Sequence, residues 1–368
     1  MLSKADDYPI HQTPDPVAFA MSDRNFYDRY FFSGHSEDGE VYFAAALGVY
    51  PNLNIMDAAF GVRIGTTQYN IHASRHLGME RMDTQVGPIR VEVLEPLKCL
   101  RVRVEDAEGR LSADLTFTGR HAPIEEPRHT RRHGPRVIMD LTRMTQLGSY
   151  SGWIRAGGRE FQAGGDAPLL SGVRDRSWGV RAVGAQDPQP MVPETTNQFH
   201  WYWMPAHFED RTLLFYRNED SDGAVWNSGM LLVDDNGQAT PLRDERIEAE
   251  LHPGSRWPCS AEVTACDDAG GRYQLSVETG ERFYLCGVGY SHPDWAPGLN
   301  KGPLAVGYDE IAVCAEQPYR PPYIHVQAFA RLTLEAPDGV VRRGIGALET
   351  FSIGPNSARN FHGLFDPA

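Results

Sequence analysis

Short runs that alternate in polarity or are rich in β-branched and other apolar residues, separated by glycine turns, recur along nearly the whole chain and leave little room for helices. They fall at 40–47, 89–94, 100–104, 113–118, 212–216, 229–233, 273–277, 323–330 and 332–334. A period of two places alternate side chains on opposite faces, the pattern of a strand with one buried side. Between them lie Asp38-Gly39, Glu108-Gly109, Gly157-Gly158, Asp222-Gly223, Asn236-Gly237, Gly270-Gly271 and Asp338-Gly339. Such pairs supply the positive φ that tight hairpins need. The pattern predicts an antiparallel all-β architecture of barrels or sandwiches. Two segments are predicted helical, one near 23–30 and a short one around 141–145.

A chain of 368 residues can hold two domains, each with its own core. The proline-rich, pattern-free stretch 185–194 reads as a linker or lid. It divides the chain into two related barrels, residues 1–184 and 185–368. The formal charge of −14 argues against nucleic acid, which needs a basic surface. The basic run 128–136 sits among prolines and follows Glu125 and Glu126, so it reads as a solvated loop. The five cysteines (Cys99, Cys259, Cys266, Cys286, Cys314) are odd in number and contain no C-x-x-C pair. That speaks against a disulfide scaffold or a zinc ribbon. The first residues carry acids and prolines where a signal peptide needs an apolar run. No segment approaches the ~20 apolar residues that span a bilayer. The expectation is a cytoplasmic protein.

Familiar cofactor motifs are missing. There is no P-loop, and Gly287-Val288-Gly289 and Gly344-Ile345-Gly346 lack the third glycine of a dinucleotide site. In Gly148-Ser149-Tyr150-Ser151-Gly152, Tyr150 stands where a nucleophile elbow has serine. His72 and His76 lie four apart in a segment read as strand and loop, where that spacing does not converge on an ion. No cofactor and no metal are expected.

The densest chemistry lies in 172–181, which packs Arg174, Arg176, Arg181, Asp175, Trp178 and two glycines into ten residues. A core tolerates such charges only when they are paired. The expected arrangement is a paired Arg/Asp cluster at a cavity wall, with Trp178 as an apolar face beside it. A cluster that merely staples two domains would look the same in sequence. Just beyond the linker, 199–205 holds Phe199, Trp201 and Trp203 on one strand face and His200, Tyr202 and Met204 on the other. His325 and Gln327 alternate along a later strand. Glu349 is a lone acid in an apolar one, a candidate proton donor because burial raises a carboxyl pKa.

The segment around Arg174-Asp175-Arg176-Ser177-Trp178-Gly179 resembles the R-D-[H/R]-S-W-G stretch of two-domain lipocalin-like (calycin) proteins. That group includes carotenoid 1,2-hydratase (hydroxyneurosporene synthase), AttH-like proteins and fungal Diels–Alderase-type cyclases. Residues 38–43 (DGEVYF) and 144–148 (MTQLG) look similar as well. The resemblance implies two lipocalin-like barrels in tandem around an apolar pocket, with cofactor-free chemistry on lipophilic, often terpenoid, substrates. One position departs: hydratases of this group carry histidine before Ser-Trp-Gly, and this chain has Arg176. A guanidinium stays protonated and cannot relay a proton.

These readings combine into an expected cofactor-independent lyase or isomerase, of hydratase, dehydratase or cyclase type, acting on a terpenoid- or steroid-like molecule. Asp175, preferred over Glu349, would donate the proton, although Arg174 and Arg176 should depress its pKa. Arg176 would hold a carboxylate or enolate, or pair with Asp175. His200 or Tyr202 would take a proton or direct water. Arg174, Trp203, His325 and Gln327 would contact substrate, with Trp178 and Trp201 stabilising a carbocation through their faces. The alternative is a non-catalytic lipocalin-like carrier with the same pocket. The expected partner is a lipophilic small molecule. Oligomeric state is not legible.

Overall fold

The computed structural model describes residues 2–367 other than 187–188, 190–191, 193–197 and 315. The proline-rich linker therefore lies largely outside the described residues, and the boundary at 184/185 stays a proposed one.

Fourteen antiparallel strands form the first sheet. Its main path runs Leu304–Ala312, Thr67–His76, Ile55–Ile64, Val41–Tyr50, Phe26–His35, Leu170–Arg181, Arg136–Ala156, Leu111–Gly119, Cys99–Glu105, Ile89–Glu95 and Gln85–Val86. The sheet rolls over until the hairpin at Gly87 rests against Val306 and Leu304 at its other edge. Its interior is one apolar cluster that includes Phe32, Phe43, Leu47, Phe60, Phe117 and Tyr150. The second sheet is a closed barrel of Phe199–Phe208, Arg211–Glu219, Val225–Asp234, Ala239–Leu251, Pro258–Cys266, Arg272–Tyr284, His325–Glu335 and Val341–Ile353. Met204, Phe215, Val263 and Leu332 help fill it. The chain is thus all-β, two lipocalin-like barrels in tandem. Leu304–Ala312, from the second half, pairs with Thr67–His76 of the first.

The glycine turns are where the pattern put them. Gly39, Gly109, Gly157, Gly158, Gly223, Gly237, Gly270 and Gly339 all have positive φ, which other residues adopt only with strain. Both predicted helices are corrected. Residues 26–30 open the Phe26–His35 strand, and 141–145 lie inside the 21-residue strand Arg136–Ala156. Each pairs with Leu170–Arg181, and ladder pairing overrides weak local preference. The basic run 128–136 is corrected too. Its first part is a strand, His129–His133, paired with Arg136–Ala156, and His129 is buried.

The barrels pack through their outer faces. Val41–Tyr50 is buried on both sides: Phe43, Ala45 and Leu47 enter the first core, while Tyr42, Ala44 and Ala46 meet Phe283, Phe329 and Ala347. Small alanines let the sheets approach, and a strand covered twice reads as a continuous apolar run. Farther along, Leu147 and Val173 meet Trp201, Trp203 and Leu214. Burying a side chain such as Trp203 contributes about 3 kcal/mol. The functional space is therefore sought between the barrels, since both lumens are filled.

Candidate functional site

A cavity of about 550 Å³ opens between the two outer faces, beside the linker. The first sheet contributes Tyr27, Phe31, Arg143, Asp175, Ser177 and Arg181, and the second Trp201, Trp203, His325, Glu349 and Phe351. His129 and Tyr290 close its sides. Strand register explains the convergence. Phe31 and Thr145 flank Asp175 across the ladder, and Arg143 lies opposite Ser177. In the barrel, Trp203 and Gln327 flank Glu349 from the neighbouring strands.

Two carboxyls face this space in opposite electrostatic settings. Glu349 accepts hydrogen bonds from Trp201 Nε1 at 2.9 Å, His325 Nε2 at 2.9 Å and Gln327 Nε2 at 2.6 Å. Burial works to raise its pKa, but these donors and the His325 charge outweigh it and hold the group below its ordinary value. Glu349 is an anion. Asp175 lacks such donors: among the described residues none hydrogen-bonds to its carboxyl. Burial pushes it up to about 7, Glu126 and Glu349 reinforce this, and Arg143 and Arg181 offset only part. Near neutral pH it holds its proton about half the time. A pair of acids driven apart in this way separates an acid role from a fixed-charge role.

The cations differ in the same manner. Arg143 is tied to buried Glu126, with Nε and Nη2 each 2.9 Å from Oε2, and lies over the Trp201 ring at 4.8 Å. Thr145 Oγ1 donates to the other Glu126 oxygen at 2.7 Å. Arg181 sits over the Tyr27 ring at 4.4 Å and reaches the Tyr290 hydroxyl at 3.5 Å. His129, pushed down to about 3 by burial and by Arg143, is a neutral imidazole in the wall. Its Nε2 has no hydrogen-bond partner among the described residues.

Of the residues singled out in sequence, the cavity gathers Asp175, Trp201, Trp203, His325 and Glu349. Gln327 stands behind it, donating to Glu349 and accepting from Tyr42 Oη at 2.8 Å. The others are elsewhere. Alternation turns Arg174, Arg176 and Trp178 away from Asp175. Arg174 enters the first barrel and donates to Gln146 Oε1 at 2.8 Å. Arg176 pairs with Asp28 at 3.0 Å over the Tyr30 ring, not with Asp175. Trp178 is 39% exposed. The expected depression of Asp175 by its flanking arginines is therefore corrected to a rise. His200 bonds Ser352 Oγ at 2.5 Å and the Pro355 carbonyl at 3.2 Å, outside the cavity wall. Tyr202 belongs to the core of the closed barrel. Arg143 covers one face of the Trp201 ring, which was expected to face a carbocation.

Sequence reasoning missed Arg143, His129 and Tyr290. Arg181 was named in the 172–181 cluster but given no role of its own, although the same alternation that turns Trp178 outward keeps Asp175, Ser177 and Arg181 on one face.

One other group could hold a metal by proximity: His72, His292 and Asp309. His72 Nε2 is 2.8 Å and His292 Nε2 3.5 Å from Asp309 Oδ2, and Asn70 Nδ2 donates to Oδ1 at 2.7 Å. His292 Nδ1 accepts from the amides of Asp294 and Trp295 at 3.0 and 3.1 Å. A neutral ring then carries its proton on Nε2, which leaves no lone pair there for an ion. The trio acts as a hydrogen-bonded clamp on the edge strand. The five cysteines are free, and no helix among the described residues is long and apolar enough to cross a membrane.

Solved structures share this architecture. A protein described as AttH from Nitrosomonas europaea is 12% identical, with 93% of this chain and 98% of that one covered and a TM-score of 0.52. CghA is 10% identical over 89% of this chain and 88% of its own, with a TM-score of 0.50. Kievitone hydratase from Nectria haematococca is 9% identical over 88% of each chain, with a TM-score of 0.47. At these identities the likeness establishes the fold and nothing finer. No curated protein matches the chain in sequence. A family profile does match, over residues 2–362, and by it the chain belongs to the family of unknown function DUF8625.

Proposed function

We propose that the protein is a proton-transfer catalyst of the lyase or isomerase class, acting on a lipophilic, terpenoid- or steroid-sized molecule in the cavity between the barrels. The observation that supports it is the pair of carboxyls: Asp175 pushed up to about 7 and Glu349 held below its ordinary value in one largely apolar space. A general acid works best with a pKa near the operating pH. In this reading Asp175 donates its proton to a substrate carbon or oxygen and recovers one as the adjacent position loses it. The fixed charge of Glu349 keeps His325 oriented. The neutral His129 imidazole, with Nε2 3.6 Å from Glu126 Oε2, walls the cavity beside the Arg143–Glu126 pair. Phe31, Trp203 and Phe351 exclude bulk water and hold the substrate near its reactive geometry.

The test uses a steroid enone and a linear polyene as probes in heavy water, read by mass spectrometry. Deuterium should enter probe or product with the native protein and not with Asp175→Asn, which should still bind. Binding by the native protein with no exchange in any probe would leave a carrier in place of an enzyme.

A further inference from the structure

Arg181 is the one cavity cation without a charge partner. Among the described residues no carboxylate lies within 4.0 Å of its guanidinium, and its one side-chain hydrogen bond is the 3.5 Å contact to Tyr290. Other buried arginines meet a carboxylate (Arg143 with Glu126, Arg359 with Glu219, Arg256 with Asp366) or carbonyl and amide oxygens (Arg63 with Gly39 and Gly65, Arg174 with Gln146), whereas Arg181 faces the cavity with a phenol alone. Removing a guanidinium from water without a counter-ion is unfavourable, so an unpaired one facing a cavity stores affinity for an anion. The surroundings strengthen that bias. Arg29 lies 4.6 Å and Arg181 5.6 Å from the centroid of the same Tyr290 ring, so the phenol meets two cations. The Tyr27 hydroxyl, also in the wall, has only the Ser177 side chain as a polar neighbour and makes no well-formed hydrogen bond among the described residues. The nearby acid, Asp175, is the one that tends to keep its proton.

We infer that the cavity ligand is an apolar molecule with one delocalised oxyanion, a carboxylate or the enolate of an acidic 1,3-diketone, seated on Arg181 and the Tyr290 hydroxyl. This inference rests on the proposed catalytic cavity and names its substrate class. The guanidinium fork donates two parallel N–H bonds to the paired oxygens. The apolar remainder lies along Phe31, Leu141, Trp203 and Phe351. The unpaired Arg181 opposes a carbocation developing beside it and favours a reaction in which negative charge gathers on oxygen. A bound anion also keeps Asp175 protonated, so the ligand sustains the acid that acts on it.

Calorimetry with two matched pairs tests this: naphthylacetate against its methyl ester, and dimedone against its methyl enol ether, at a pH where both acids are ionised. The native protein should bind at least one anion about tenfold or more tighter than its neutral partner. Which pair shows the preference distinguishes carboxylate from enolate. Arg181→Met should abolish that preference while leaving affinity for the neutral partner. Equal binding within both pairs overturns the inference, as does a preference that survives Arg181→Met. Should that variant not fold, the native comparison still decides. Loss of the anion preference alongside Asp175-dependent deuterium exchange would sink this inference and leave the catalytic reading standing.

Discussion

Replacing Asp175 by Asn isolates the electrostatic cost of the acid and makes it measurable without any substrate. In the folded protein this carboxyl sits at about 7, against about 4 when solvated. A group whose pKa rises on folding stabilises the fold relative to its ionised state at low pH. That contribution is complete below about pH 4, is lost as pH climbs to about 7, and is flat beyond. Three pH units are worth about 4 kcal/mol. The cavity admits some solvent, so we halve this to about 2 kcal/mol for the whole range. Asn carries no charge to desolvate, so the variant's stability relative to the native protein should rise with pH. Between about pH 5 and pH 8 the gap should widen by between about 1 and 2 kcal/mol. Urea unfolding of both proteins across that range measures it, and other titrating groups cancel in the difference. A gap that stays constant, or widens toward acid, would refute the assignment of Asp175 as a desolvated acid.

Three further outcomes follow from the same geometry. Glu349→Gln removes the anion that three donors converge upon and should cost about 3 kcal/mol in urea, as breaking buried ionic clusters does; a loss under about 1 kcal/mol would contradict the buried network. His35, His129, His200 and His207 are pushed down to between about 3 and 4, chiefly by burial. The unfolded chain binds protons at these sites near pH 6.5 and the folded one does not. Stability should therefore fall between about pH 6.5 and 4, most plainly in Asp175→Asn, where the opposing group is gone; a flat urea midpoint there would be inconsistent. Trp178→Ala should cost under about 0.5 kcal/mol and leave ligand binding unchanged, because the indole is out in solvent. A tenfold loss of affinity would put Trp178 back in the wall.

The all-β class was legible because glycine turns and period-two runs are local signals, and the seven turn pairs all carry positive-φ glycines. Several strands were not. Ala239–Leu251 ends in Asp-Glu-Arg-Ile-Glu-Ala-Glu-Leu, whose charges and helix-favouring residues mask a strand made by pairing with Pro258–Cys266. The cavity gathers only some of the residues singled out in sequence, for a related reason. Glu349 stood out as a lone acid in an apolar strand and Asp175 as the acid of an arginine cluster, but sidedness decides what each meets, and only register fixes sidedness. Alternation, used for the strand after the linker, would have separated Trp178 from Arg181 had it been applied to 172–181. His129 lay hidden among arginines that do face solvent. Tyr290 sits outside any strand, where no period exists to place it.

The excursion of Leu304–Ala312 onto the edge of Thr67–His76 has a consequence for how the molecule can be divided and how it can move. A fragment stopping at the midpoint would leave that edge with a bare row of amides and carbonyls, an invitation to self-association. The two halves are therefore joined by a backbone ladder as well as by side-chain packing, which resists the barrels swinging apart like the shells of a clam.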